Sequence, residues 1–587
     1  EHQSTLFRWV AVLTGSKNAL KGVGFFIGAA LLEWIGFDGA LWVMAGAIAV
    51  ALVTTMGVRG FFVELRGGVV LLMAFLLAFM GRWNRRSGAM TRTEWMIFRF
   101  GDGFGGKFAR VASALAELFF TVSAVAFFAK GLEVFLGPFL PMLEESGVSL
   151  AAAAVVFLVT IYTTAGGLVG VVWTDVFQGL LIFVAVAAVC FLAWQLPALP
   201  ESFAVSVPLG GGEFAEVVQQ RSAWESALPP LEQSLPGTYA RYNAFGVLIA
   251  VFLLRATLDG CSGSGGYIVQ RYLAARTERE AGLVGLAWTF LLSFRWPLVV
   301  AFALLGISVG LERGAPIADP EAVLPTVLAE SVPRGLRGLL VACFLAAFMS
   351  TFSSVVNSAA AYWTNDLYAA YLRPKASERA RVIQGRLASL VMVGLGLVFA
   401  RSAEGINELW GWLTAALGGG LTIPLLLRWY WWRFNGEGFA IGTLFGMGAA
   451  SAVLAVPALA ELSEPQQFGF VALFSSAGCI LGSFFFPQTE AGVLARFFRR
   501  TRPFGAWNPC RKELDAGERA RLRAASWREV ASALVAVPWQ LALFLLPMTM
   551  MLRSWGQSAV LAGALLLLSL LLYKVWYRGL GGEEESA

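Results

Sequence analysis

The chain has a single histidine, His2, in 587 residues, and only five cysteines. One histidine leaves almost no room for imidazole catalysis, haem ligation or a histidine proton relay. Cys190, Cys343 and Cys479 lie inside apolar runs, and no CxxC or Cys/His spacing occurs. That speaks against a zinc site and a disulfide framework. Charge is scarce too: Asp, Glu, Lys and Arg make up 14% of the chain and hydrophobic residues 58%. An ordinary soluble domain carries about 25% charged residues, so a soluble globular protein is excluded. No GxxxxGKS/T phosphate loop is present, and no ATP site is implied. No signal peptide with a small-residue cleavage site is visible, and the start at Glu1 leads us to expect a processed or incomplete product. The formal charge is +6, but the basic residues fall in short clusters between apolar runs, a pattern that fits no nucleic-acid partner.

What is abundant is apolar length. Runs of spanning size occur near 20–37, 40–58, 68–81, 111–136, 148–165, 170–195, 244–260 and 283–309. They continue near 337–363, 383–400, 407–427, 438–458, 468–486, 531–552 and 558–576. In a bilayer every backbone N–H and C=O must be paired internally, so such runs are helices. They predict an all-α polytopic membrane protein of about 13–15 transmembrane helices, with the lipid bilayer as its first partner. The 21 Trp and 46 Phe suit a lipid-facing surface with aromatic belts.

Basic residues set the orientation. Arg82, Arg85, Arg86, Arg92, Arg99, Lys107 and Arg110 cluster in 82–110, and Arg373, Lys375, Arg379, Arg381 and Arg386 in 367–386. The connection 487–530 carries Arg496, Arg499, Arg500, Arg502, Arg511 and Lys512. These stretches are placed in the cytoplasm, together with the C-terminus. The acid-leaning connections 197–243 and 311–336 are placed outside.

Polar groups within apolar runs tend to mark pathways. Residues 162–178 include a Gly166–Gly167 pair, expected as a tight cytoplasmic turn, and then Asp175 and Gln178 at i, i+3. Thr174 and Asp175 either begin a helix or line a polar route. In the run AAFMSTFSSVVNSAAAYWTNDLY (346–368), Ala347, Ser350 and Thr351 fall on one helix face. Hydroxyls and a carbonyl freed by local irregularity are hard ligands for a small cation; equally, small residues pack helix interfaces. Arg255 and Asp259 stand at i, i+4 before a glycine-dense stretch, either lining a cavity or neutralising each other. Arg295 sits in mid-span beside Pro297, which frees the Ser293 carbonyl. It needs a partner: a carboxylate, a freed carbonyl or an anionic ligand.

Together, TTAGGLVGVVWTDVFQ (163–178), GGYIVQRYLAARTEREA (265–281) and the 346–368 run resemble the sodium/solute symporter family, over about residues 82–430 and more loosely beyond. The resemblance implies a leucine-transporter-type core of two inverted repeats, with sodium and a small organic solute bound near the midplane. It implies that Ala347, through its carbonyl, and Ser350 and Thr351, through their hydroxyls, bind the co-transported sodium ion. Asp175, with Gln178, lies on the implied ion exit path. It further implies a secondary active transporter, not an enzyme, in the cytoplasmic membrane. The chain then divides into an atypical N-terminal membrane segment (1–81), the symporter core (82–430) and additional C-terminal helices with the basic loop 487–530 (431–587). The family's first core helix is broken and polar, whereas 19–58 shows no such break and faintly resembles a major-facilitator segment. Sugar-carrying relatives place an aromatic gate and a lysine where this chain has Asp259 to Ser264 and Ser293. That weakens a sugar reading, and Arg295 with Arg255 would suit a solute carboxylate through a bidentate fork. The solute-binding candidates are therefore Arg255, Asp259, Ser293 and Arg295.

Overall fold

A computed structural model describes residues 39–67, 69–89, 92–140, 142, 145–263, 272–273, 275–403 and 405–580. The expected span 20–37 and the GGYIVQR portion of the second motif (265–271) lie outside the described residues. The rest is a helical bundle, and the expected apolar runs within it are helical. Helix starts follow local chemistry. Asn435 accepts from the Gly438 N–H at the head of Gly436–Ala455. Ser463 with Gln466, and Asp515 with Glu518, form capping boxes at the heads of Glu464–Phe485 and Ala516–Met551. Large apolar side chains of Glu378–Ala400 and Trp555–Val575, such as Val398 and Leu566, are exposed on the outside of the bundle, as a lipid-facing wall requires.

Among the described residues, nine helices are long and apolar enough to cross a membrane, fewer than the 13–15 expected. The runs at 68–81 and 407–427 are cut by π turns at Leu76–Met80 and Leu413–Gly418. The runs at 148–165 and 170–195 form one 50-residue helix, Glu145–Trp194, without the turn expected at Gly166–Gly167. Each glycine costs a helix only about 1 kcal/mol and keeps its N–H. The Thr163 and Thr164 hydroxyls donate back to the carbonyls of Val159 and Thr160, at 2.7 and 2.9 Å, and cap no new helix. At 1.5 Å per residue this helix is about 75 Å long.

Two further differences matter. The front run is interrupted after all, at its last residues. Helix Gly39–Met56 ends on Gly57 (φ +71°), followed by two 3-10 turns, Gly57–Arg59 and Glu64–Gly67, around the short helix Gly60–Val63. A Cβ on Gly57 would lie 1.8 Å from the Trp224 carbonyl oxygen, so only glycine admits the loop there. The connection 197–243 also holds an antiparallel hairpin, Ser202–Gly210 with Glu213–Gln220, turned by Gly210, Gly211 and Gly212 at positive φ. Phe203, Val205 and Val207 point inward at period two.

Helices Gly436–Ala455 and Glu464–Phe485 meet backbone to backbone. A Cβ on Gly442 would lie 2.2 Å from the Cys479 sulfur, one on Gly478 2.9 Å from the Gly442 Cα, and one on Gly482 2.6 Å from the Gly438 Cα. Gly420 and Gly446 join Gly419–Tyr430 to Gly436–Ala455 in the same way, and the Ser475 hydroxyl of Glu464–Phe485 donates to the Gly420 carbonyl at 2.8 Å.

Candidate ion and solute site

The MST tripeptide lies in Arg334–Ala361, a regular helix that widens into a π-helix only at Tyr362–Leu372. Helical spacing puts Ala347, Ser350 and Thr351 on one face. Thr351 is fully buried, while the side chains of Ala347 and Ser350 lie outside what is described. The expected local irregularity is absent at 347–351. The Ala347 carbonyl is therefore not released by a break, though a carbonyl in a helix keeps a second lone pair. Phe348 and Phe352 stack at 5.7 Å, and both rings meet Phe128, at 6.0 and 6.1 Å.

This helix packs on Gly39–Met56, Phe104–Leu136, Glu145–Trp194 and Glu378–Ala400. Glu145–Trp194 carries Asp175 and Gln178, so the proposed ion helix and the proposed exit helix are neighbours; the side chains of Asp175 and Gln178 are not described. On the Gly39–Met56 side the only polar residues are Thr54 and Thr55, both buried. Thr55 donates to the Ser206 carbonyl at 3.4 Å. A small pocket of about 20 Å³ lies beside Thr54, between the hairpin and Arg295–Arg313, away from all the candidate residues.

The four solute candidates fall into two separate groups. Ser293 closes helix Glu278–Leu292, and its hydroxyl donates to the Phe290 carbonyl at 2.6 Å. The carbonyl expected to be freed by Pro297 instead accepts from the Trp296 N–H at 3.2 Å. Arg295 is paired with Glu64 at 3.0 Å, and its guanidinium lies 5.1 Å from the Trp296 ring. Among the partners left open by the sequence, a protein carboxylate is therefore present. Arg255 and Asp259 lie on Phe245–Ser262, packed against Gly419–Tyr430. Arg255 donates to the Thr414 carbonyl, and its Nε stands 3.6 Å from Asp259 Oδ2. Asp259 Oδ1 accepts from the Thr422 hydroxyl.

Sequence reading missed a third group. Arg66 is fully buried and contacts Glu464 at 2.6 Å, the Tyr242 hydroxyl at 3.0 Å and the Asn407 side-chain oxygen. Asn407 and Ile406 donate their backbone N–H groups to Glu321, at 2.8 and 2.9 Å. Glu321 lies outside the spanning helices. Burial first, and Asp319 beside it, push its carboxyl up to about 7 against the two N–H donors. The available signal was a Glu64/Arg66 pair flanked by apolar runs, which require internal partners. On the opposite side of the bundle, residues of the basic clusters are also paired: Arg86 with Glu278 at 2.8 Å and Arg110 with Asp366 at 2.9 Å. Arg99 instead donates to three carbonyls, of Arg428, Trp431 and Phe434, at 2.8, 3.1 and 3.1 Å.

The chain is 27% identical over 394 residues to a sodium/mannose cotransporter of Bos taurus, covering 63% of each protein. It is 25% identical over 389 residues to sodium/glucose cotransporter 1 of Oryctolagus cuniculus, covering 62% of this chain and 56% of that one. The chain thus spans about 56–63% of the length of these curated relatives. The fold is shared with a Na+-coupled sialic acid symporter solved in a substrate-bound outward-open state, at a TM-score of 0.50 and 17% identity, over 82% of this chain and 98% of that one. The sodium:solute symporter family model matches residues 42–446. With that match spanning well over half its length, the chain belongs to the sodium:solute symporter family.

Proposed function

We propose that this chain is a secondary active transporter, not an enzyme, which couples entry of a small organic solute to sodium. Sodium is cargo, held by the Ala347 carbonyl and the Ser350 and Thr351 hydroxyls, and released inward past Asp175 and Gln178. The observation that carries this reading is the burial of Thr351 on a helix that packs against the one bearing Asp175. Uncharged oxygens suit a small hard cation, and no ionised ligand then has to be desolvated. One charge crossing ~100 mV gains roughly 2.3 kcal/mol. A ~10-fold sodium gradient adds about 1.4 kcal/mol. At one ion per solute, both together sustain solute accumulation of roughly a few hundred-fold.

The basic clusters favour a multi-pass protein of the cytoplasmic membrane with its C-terminus inside. Two of the named relatives are a sodium/mannose and a sodium/glucose cotransporter. This chain has no aromatic residue from Asp259 to Ser264 and a serine at 293, which favours another solute. A second reading, a homologue that does not transport, is favoured by the apolar Gly39–Met56 helix, which offers no polar partner beyond two threonines. Uptake of a solute panel into proteoliposomes, with and without a sodium gradient, tests both. Sodium-stimulated uptake abolished by Ser350→Ala and Thr351→Ala supports symport. Flux indifferent to sodium overturns it, and no flux at all supports the second reading.

A further inference from the structure

Helix Glu378–Ala400 has 23 residues and is one of the spanning helices. At 1.5 Å per residue it reaches about 35 Å. A hydrocarbon core of about 30 Å takes roughly 20 of those residues, and any tilt takes more. The exposed Arg401 follows directly on Ala400 and fixes one edge of the core. Counting about 20 residues back from Ala400 puts the other edge near Arg381. Arg386 then stands about five residues, or roughly 7.5 Å, inside the hydrocarbon.

Its surroundings are apolar. Arg379, Val382, Ile383, Arg386, Leu387 and Leu390 follow the i, i+3, i+4, i+7, i+8, i+11 spacing of one helix face. All six are exposed on the outside of the bundle, the four apolar ones by 44–55%. Among the described residues neither arginine has an ion pair or a side-chain hydrogen bond. Elsewhere the protein supplies a carboxylate, as it does for Arg66, Arg110 and Arg295. Here the stretch 367–386 sets Arg373, Lys375, Arg379, Arg381 and Arg386 against the single acid Glu378.

An arginine on a lipid-facing surface has to extend its stem to water or to an anion. A phospholipid phosphate meets that need, because the guanidinium fork takes two of its oxygens and the acyl chains cover the neighbouring leucines. A zwitterionic headgroup would bring its own cation against this basic cluster; an anionic one brings none. We infer that the Arg379/Arg386 stripe is a binding site for an anionic glycerophospholipid of the leaflet beside 367–386. The phosphate is held by the two arginines, and the acyl chains lie along Leu387 and Leu390. The helix packs on Arg334–Ala361 and Tyr362–Leu372, so this lipid sits next to the segment that carries the proposed sodium ligands.

The test melts the full chain in detergent micelles with added dioleoyl phosphatidylglycerol, dioleoyl phosphatidylcholine or inorganic phosphate. Phosphatidylglycerol should raise the melting temperature by a few degrees more than phosphatidylcholine at equal mole fraction. Inorganic phosphate, with no acyl chain to anchor it, should leave the curve in place. Arg379→Gln with Arg386→Gln should remove most of the difference between the lipids. Arg386→Gln alone should remove about half, and it decides the matter if the double variant shows no cooperative melting. Arg496→Gln with Arg499→Gln should keep the difference, because the apolar side chains of Ala491–Thr501 are buried in the bundle and face no lipid. Equal shifts from both lipids overturn the inference, as does a phosphatidylglycerol preference that survives loss of Arg379 and Arg386. A preference lost equally with Arg496 and Arg499 overturns it in favour of overall charge, and a shift reproduced by phosphate overturns it in favour of a free anion.

Discussion

Two packed segments place their polarity in opposite ways. The front segment, Gly39–Met56 continuing through 57–67, is apolar where it is regular and charged where it is irregular. Two of its three charges are cancelled, Glu64 by Arg295 and Arg66 by Glu464, while Arg59 donates to the Met56 carbonyl at 3.2 Å. The later segment, Arg334–Ala361 continuing through Tyr362–Leu372, carries its serines and Thr351 where it is regular, and Thr364 with three tyrosines on the π-helix. Its one acid, Asp366, falls on the π-helix and is cancelled by Arg110. In these two segments the paired charges tie irregular stretches to their neighbours. The proposed cation chemistry is left to neutral oxygens on a continuous helix.

The contrast can be broken most sharply at Arg66. Arg66→Ala leaves Glu464 buried without its main counter-charge and should cost about 3–5 kcal/mol, read as thermal unfolding in detergent. Replacing both, Arg66→Met with Glu464→Leu, should recover most of that loss; an Arg66→Ala cost under about 1 kcal/mol would show that the tie is not structural. Arg295→Ala should cost less, about 2–3 kcal/mol, because Arg295 is slightly more exposed than Arg66. Uptake per folded molecule should not change, which would confirm a tie and not a solute contact. Ser350→Ala and Thr351→Ala should show the reverse pattern. Each should reduce sodium-driven uptake about ten-fold, equivalent to roughly 1.4 kcal/mol, while the melting curve barely moves.

The smallest effect concerns pH. Burial raises the Glu321 carboxyl to about 7, so the folded state binds a proton more tightly than the unfolded chain. Its stabilising contribution is complete below the unfolded value near 4.5 and is lost as pH rises towards 7. The melting temperature should therefore fall across that window, and Glu321→Gln should flatten the fall.

The helical spans were legible because apolar length is a local signal. So was the placing of Ala347, Ser350 and Thr351 on one face. The Arg66–Glu464 tie was not, since its partners are 398 residues apart and no periodicity links them. The Gly166–Gly167 turn was misread because paired glycines signal a turn only when nothing else holds the backbone. Pro297 does deprive Ser293 of its ordinary helical donor, but Trp296 supplies another from close range.

The glycine contacts joining Gly436–Ala455 to Glu464–Phe485 have a mechanical consequence. With main chain so close to main chain, only short side chains such as Cys479 and Ser483 are available there to absorb a displacement. Sliding either helix would open voids along the whole seam. Together with Gly419–Tyr430 these helices should travel as one stiff plate, and any rocking that carries solute across the bilayer must find its give in the wound-down stretch 57–67 and the over-wide turns of 362–372.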